Sequence, residues 1–254
     1  MEKLGMDFHA SIEDKRVATG IPGLDDLLQG GYPQGSVTLV AGTPGTGKTI
    51  VCFQYINAGI KNKEKCLFLT SDERIDNLIF QAKKFRFDFD AAVKNSQLKF
   101  MYLDLEKHTV HTEMESEIRL GGYSRVVLDS LTPLSELPVW VVHRGSEVIP
   151  SQDTLTTTPL PLDSIQATRM HVRRILRILE EDACTALVTS EIAEGSRNLS
   201  RDSVSEFLVD GILVLDLDPS MDRRKLNVRK MRGTKHTLKP RDIEINSKEG
   251  IRIL

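Results

Sequence analysis

The sequence predicts an α/β chain, with a mostly parallel central sheet and helices on both faces. Three observations carry this. Short apolar runs alternate with stretches of helical periodicity. The runs are continuously apolar, as strands buried on both faces are. The first run leads into a glycine-rich loop and then an apolar helix.

In chain order, Val37–Ala41 is the first candidate strand, followed by a helix over Thr49–Lys61. Lys65–Thr70 is the second strand. The helix after it, Asp76–Phe85, groups Leu78, Ile79 and Ala82 with Ile75 on one side. Leu98–Leu103 and Arg125–Asp129 are the next strands, and Gly121-Gly122 marks a turn before the second of these. The stretch 133–163 breaks the rhythm with Pro133, Pro138, Pro150, Pro159 and Pro161 and a Thr-rich tract, Thr154–Thr158. It cannot be one helix, and reads as a long, partly mobile inserted loop with a short strand near Trp140, Val141 and Val142. Ala167–Leu179 is helical, with Val172, Ile175, Leu176 and Leu179 on one face and Arg169, Arg173, Arg174 and Arg177 off it. Ala186–Ser190 and Gly211–Asp216 complete the strands. Residues 223–241 then hold nine Lys and Arg and no acid. With no internal repeat or second boundary, residues 1–254 read as one domain.

Composition excludes several classes. The 254 residues carry 34 basic and 36 acidic side chains, net −2, so no global basic coat exists for nucleic acid. The 40% hydrophobic content argues against a disordered chain. No apolar run approaches the ~18 residues of a membrane span, and the N-terminus has no signal-peptide stretch. Cys52, Cys66 and Cys184 form no CxxC pair and read as buried thiols, so a cytoplasmic location is expected.

The strongest motif is Gly42-Thr43-Pro44-Gly45-Thr46-Gly47-Lys48-Thr49, the phosphate-binding pattern G-x-x-x-x-G-K-[ST]. Glycines let backbone N–H groups curl toward phosphate oxygens, and the following helix adds its positive end. Lys48 is placed for the β- and γ-phosphates, and the Thr49 hydroxyl for Mg²⁺. The nucleotide-binding set thus comprises these eight residues and Ile50, and the expected cofactors are ATP and Mg²⁺. The metal site needs an acid at the end of a buried strand, which Asp129 of Val126-Val127-Leu128-Asp129 supplies. Hydrolysis needs a group that orients or deprotonates water; Asp72 and Glu73 follow the second strand, and either is placed to serve. Ser190 and Glu191 end another strand, as weaker candidates for sensing the γ-phosphate.

Further residues carry a resemblance. Thr19-Gly20-Ile21-Pro22-Gly23-Leu24-Asp25 and Gly30-Gly31-Tyr32-Pro33-Gln34-Gly35 lead into the loop. Downstream stand Glu206-Phe207-Leu208-Val209-Asp210-Gly211 and Lys230-Met231-Arg232-Gly233-Thr234-Lys235-His236. From about Thr19 onward the chain resembles the KaiC-like branch of the RecA superfamily of P-loop ATPases. The resemblance implies a RecA-like fold and a homo-oligomer, usually a hexameric ring, or a filament, with ATP held between neighbours. It implies that Lys230 and Arg232 reach into the neighbour's site, with Thr234 and His236 near the neighbour's nucleotide. It matches Asp72 and Glu73 to the family's paired glutamates and puts the usual base at the first of them, Asp72. Asp72 is one methylene shorter than glutamate, which implies looser water placement and slower hydrolysis. The charge pattern alone reads as a solvated basic face. If Leu226–Arg232 is a strand, however, Lys230 and Arg232 share one face, which suits a clamp in trans. One such domain is present, whereas the clock-type members have two, so no timekeeping role is carried over.

Candidate nucleic-acid contacts are 133–163, with Trp140, His143 and Arg144, and 194–205, with Arg197, Asn198 and Arg201. Glu136, Glu147, Asp153 and Asp163 weigh against the first and favour a subunit or partner contact there. His108, His111 and Glu115 lie at helical spacing but read as a plain exposed helix rather than a metal site. The expected activity is ATP hydrolysis by an oligomer. The alternative is a slowly hydrolysing or non-hydrolysing ATP-dependent scaffold or signalling switch acting on protein partners.

Overall fold

The computed structural model describes residues 15–107, 109–137, 140–144, 147–150, 158–159, 165–180 and 184–254. An antiparallel pair, β1 (Arg16–Val17) and β2 (Tyr32–Pro33), flanks α1 (Leu24–Leu27). Then come β3 (Val37–Gly42), α2 (Lys48–Lys61), β4 (Cys66–Thr70), α3 (Ile75–Lys84), α4 (Phe89–Lys94), β5 (Leu98–Tyr102), α5 (Val110–Gly121) and β6 (Arg125–Asp129). The insertion region holds α6 (Leu131–Ser135), β7 (Trp140–Arg144), β8 (Glu147–Pro150) and β9 (Thr158–Pro159). The chain closes with α7 (Ile165–Glu180), β10 (Thr185–Glu191), α8 (Ser205–Leu208), β11 (Gly211–Asp218), β12 (Arg223–Met231), β13 (Arg241–Asn246) and β14 (Gly250–Ile253).

Among the described residues the main sheet has nine strands in the order β14-β13-β12-β11-β3-β10-β6-β4-β5. The six from β11 to β5 are parallel, and β12, β13 and β14 are added antiparallel. The sequence expectation of an α/β, mostly parallel sheet thus holds, with Arg125–Asp129 unchanged and other strand and helix ends moved by up to three residues. The antiparallel β13–β14 pair was not read from the sequence, because each strand is short and half exposed.

Side-chain alternation builds two cores. Val37, Leu39 and Ala41 of β3 face one layer with Met114 and Ile118 of α5 and Ile175 and Leu179 of α7. Val40 faces the other, with Phe53 and Ile56 of α2 and Leu78 of α3. Every residue of β3 and β4 is buried, which explains their unbroken apolar character. The Arg125 guanidinium crosses the interior fully buried. It pairs with Glu64, donates to the Ala18 and Tyr55 carbonyls at 2.7 and 3.0 Å, and stacks 4.6 Å from the Tyr55 ring. The three cysteines are buried and form no disulfide among the described residues. No helix among the described residues is long and apolar enough to cross a membrane.

Three expectations need correction. The insertion is not a loop with one short strand: Pro133 sits in the first turn of α6, where its missing N–H costs nothing, and β7, β8 and β9 form an antiparallel sheet. Thr154, Asp153 and Asp163 lie outside the described residues. Second, α5 is not a plain exposed helix. His111 is buried against His171 of α7, ring centres 4.9 Å apart, because the two helices pack together; Glu115 instead pairs with Arg119 on the surface. His108 lies outside the described residues. Third, β12 ends at Met231, so Arg232 lies just past the strand rather than sharing its face with Lys230.

The histidine pair has a pH consequence. Burial pushes His111 down to about 3, helped by the neighbouring His171 and Arg174. Burial lowers His171 as well, against the pull of its 2.7 Å contact with the Leu134 carbonyl. The unfolded chain therefore binds protons that the folded chain refuses. Stability falls as pH drops below about 6.5, by up to about 1.4 kcal/mol per pH unit for each histidine. Thermal melts between about pH 7.5 and 5 should show a shallower acid slope for His111→Phe than for the parent; equal slopes would remove the pair as the cause.

Candidate nucleotide site at the carboxyl ends of the strands

The loop between β3 and α2 has the shape its glycines require. Gly47 has φ of +106°, a conformation other residues avoid, and a Cβ there would meet Ile245 and Ile251 side chains at 3.1 and 3.2 Å. Gly42 needs smallness instead: a Cβ would lie 2.6 Å from the Leu215 carbonyl oxygen. Inside the loop, the Thr46 hydroxyl donates to the Thr43 carbonyl at 2.8 Å. The Lys48 ammonium folds back onto the carbonyls of Gly42 and Thr43 at 2.9 and 3.1 Å. Burial lowers its pKa, opposed by the charges of Glu191 and Asp129. A cation hydrogen-bonded to loop carbonyls can exchange them for phosphate oxygens.

Beside the loop is a cavity of about 490 Å³ lined by Gly45, Gly47, Lys48, Thr49, Ile50, Arg224 and Ile245. Arg224 of β12 and Ile245 of β13 were not singled out from the sequence. Arg224 fell within the basic run and Ile245 in an unread strand; only their register against β11 and β12 brings them to the loop. The Arg224 Nε is buried with no acceptor among the described residues.

Thr49 and Asp129 converge as their types suggested. The Thr49 hydroxyl donates to Asp129 Oδ2 at 2.8 Å, and Thr189 of β10 donates to Oδ1 at 2.5 Å. Burial raises the Asp129 pKa, and the two hydroxyls pull it back. A hydroxyl and a carboxylate meeting beside a phosphate loop are hard oxygen donors that suit Mg²⁺, which takes one or two protein ligands and completes its shell with phosphate and water. Thr189 had gone unnoticed because its strand looked wholly structural.

Asp72 and Glu73 follow β4, adjacent to β6. Asp72 accepts from the Ser130 hydroxyl at 2.8 Å and from Ser71 at 3.3 Å. Glu73 accepts from the Gln81 amide of α3 at 2.5 Å. Burial raises the Glu73 pKa, the Asp129 charge adds to this, and Gln81 opposes it. Ser190 is buried and accepts from the Arg201 N–H at 3.1 Å, and Glu191 is exposed at the end of β10.

The second group of candidates lies at the other end of the sheet. Gly42 stands opposite Leu215, whereas Met231 pairs with Gly211, itself opposite Thr38. Lys230, opposite Ile212 and so level with Leu39, therefore sits about 10 Å along the strands from its own phosphate loop. Its ammonium donates to the Val209 and Glu206 carbonyls at 2.5 and 3.4 Å, and burial beside Arg232 lowers its pKa. Arg232 pairs with Asp210 at 2.9 Å. Thr234 accepts from Arg16 at 2.5 Å, and His236 is half-buried. In the 194–205 loop, Asn198 donates to Ser203 at 2.7 Å and Arg201 pairs with Glu136 at 3.4 Å, while Arg197 is exposed. The side chains of Trp140, His143 and Arg144 lie outside the described residues.

Comparison with known proteins places this geometry. A family model described as ATPase: KaiC matches residues 17–254. A UPF0273 protein of Methanopyrus kandleri is 33% identical over 243 residues, covering 94% of this chain and 92% of that protein. The circadian clock oscillator protein KaiC of Prochlorococcus marinus subsp. pastoris is 30% identical over 225 residues, which are 87% of this chain but 42% of that one. The crystal structure of a KaiC-like protein from Pyrococcus horikoshii superposes with a TM-score of 0.75 at 28% identity, covering 94% and 99% of the two chains.

Proposed function

The chain belongs to the KaiC-type ATPase family, and from that premise we propose that it binds Mg·ATP on Gly42–Thr49 and hydrolyses it in a homo-oligomer, a ring or filament with each nucleotide between two copies. One observation carries the reading: the loop and the Lys230–Arg232 segment lie at opposite ends of the same sheet. A copy cannot bring its own Arg232 to its own phosphates, but two copies joined head to tail can.

In this reading Lys48 leaves the loop carbonyls for the β- and γ-phosphates. Thr49 and Asp129 hold Mg²⁺, which neutralises charge on the phosphate oxygens. Glu73, made more basic by burial and steadied by Gln81, accepts the proton of the attacking water while Asp72 orients it. The water oxygen bonds to the γ-phosphorus as the bond to the departing ADP oxygen breaks. Arg224 and Ile245 flank the rest of the nucleotide. Lys230, Arg232, Thr234 and His236 come from the neighbour.

A slow, switch-like turnover is favoured by one feature: Asp72 is already engaged by Ser130 and Ser71. Phosphate release measured against protein concentration tests the proposal. Turnover per subunit should rise with concentration as sites are completed. A rate independent of concentration would remove the shared site, and no turnover under any condition would leave the ATP-held scaffold. Stimulation by single-stranded DNA would assign a nucleic-acid role to the 194–205 loop, and indifference to DNA directs the activity toward protein partners.

A further inference from the structure

Helix α7 turns Val172, Ile175 and Leu176 to the core. Its other side presents Arg169, Arg173 and Arg177, all exposed and one helical turn apart. With Arg232, Glu180 and Phe207 they border a cleft of about 520 Å³. Phe207 is 63% exposed. Like charges at this spacing oppose helix formation, and an uncovered phenyl ring gains nothing from solvent. Glu180 answers part of this charge from within the chain, with Arg232, Arg173 and Arg177 opposing the rise that burial gives its carboxyl, and the exposed ring beside these cations suits an acidic and apolar counterpart.

Helix α3 has that counterpart at the same pitch. Asp76, Phe80 and Lys84 lie one turn apart and are exposed, Phe80 by 60%. The Lys84 ammonium sits 4.6 Å from the centre of the Phe80 ring. Along α3 the order is acid, aromatic, base; along α7 it is Arg173, Arg177 and then Glu180, whose burial beside Asp210 raises its pKa. The two stripes match within one residue over about 11 Å of helix.

We infer that α7 of one copy docks on α3 of the next, with Arg173 against Asp76, Arg177 over the Phe80 ring and Glu180 against Lys84. The inference rests on the shared-site reading, since α7 flanks Arg232 and α3 follows Glu73. It also gives the contact a route to the chemistry. Gln81 belongs to α3 and holds the Glu73 carboxylate at 2.5 Å, so seating α3 against a neighbour fixes the group that receives the proton. Asp76, Arg173 and Arg177 touch no reacting atom and act by positioning.

Charge reversal tests this. Arg173→Glu and Asp76→Arg are examined singly and together by sedimentation velocity with Mg²⁺ and a non-hydrolysable ATP analogue. Fluorescent-nucleotide binding, phosphate release and thermal melts accompany each. Each single variant should assemble about tenfold more weakly and release phosphate more slowly in proportion, with nucleotide affinity and melting temperature unchanged; the double variant should recover assembly and turnover. Should a reversal fail to fold, Arg173→Gln and Asp76→Asn carry the same test. A parent chain that stays monomeric overturns the shared site and this contact together. A parent that assembles, with reversals that assemble equally well, overturns the contact alone. Normal assembly of Arg173→Glu with loss of single-stranded oligonucleotide binding assigns the arginines to nucleic acid and also overturns it.

Discussion

Lys48→Ala lowers ATP affinity by about a hundredfold or more. The ammonium is the one side-chain cation placed inside the β3–α2 loop, 2.9 Å from the Gly42 carbonyl, and phosphate is its stronger partner. Charge-assisted hydrogen bonds contribute about 1.5–3 kcal/mol each, and two of them account for the loss. The backbone N–H groups remain, so a weak residual affinity is expected. Fluorescent-nucleotide titration measures the effect, and a thermal melt without nucleotide should be unchanged within about 1 kcal/mol. Affinity equal to that of the parent would remove nucleotide from this loop.

Arg232→Ala has the second large effect, on turnover rather than affinity. A guanidinium supplied in trans to phosphoryl transfer contributes on the order of a thousandfold or more. Among the described residues Arg232 makes its ion pair with Asp210 at the surface, so its removal costs little stability. Phosphate release should fall while nucleotide binding persists. Mixing gives the sharper result. Arg232→Ala copies keep an intact loop and Lys48→Ala copies keep an intact arginine, so an equimolar mixture completes about a quarter of its sites where the interface is head to tail. Activity that does not recover on mixing would place Arg232 outside its neighbour's site.

Much of this arrangement was legible in the sequence because local signals agreed. The β3–loop–α2 unit was visible from Val37 to Lys61, since a buried strand, three glycines and an apolar helix each restrict the chain on their own. Asp129 and Thr49 were legible as a pair because a phosphate loop creates the need for a carboxylate on a buried strand. Arg224, Ile245 and Thr189 were not, because only long-range strand register brings them to the loop. His111 was misread for a related reason: its helix is polar on three sides, and only packing against α7 shows which side turns inward. Arg232 was placed on a strand face by counting alternate residues, but β12 ends at Met231, where its partner strand β11 begins at Gly211.

Strand β12 carries Arg224 at one end and Lys230 at the other, six residues apart and paired with β11 on both sides of one register irregularity. It spans about 20 Å as a single rod. The irregularity twists the strand but leaves both ends in the same ladder, so the end that meets its own triphosphate and the end directed at the next one move together. Any loosening around a spent nucleotide must shift the entire protomer as one body, and the far tip of the rod carries that displacement on to the adjoining chamber.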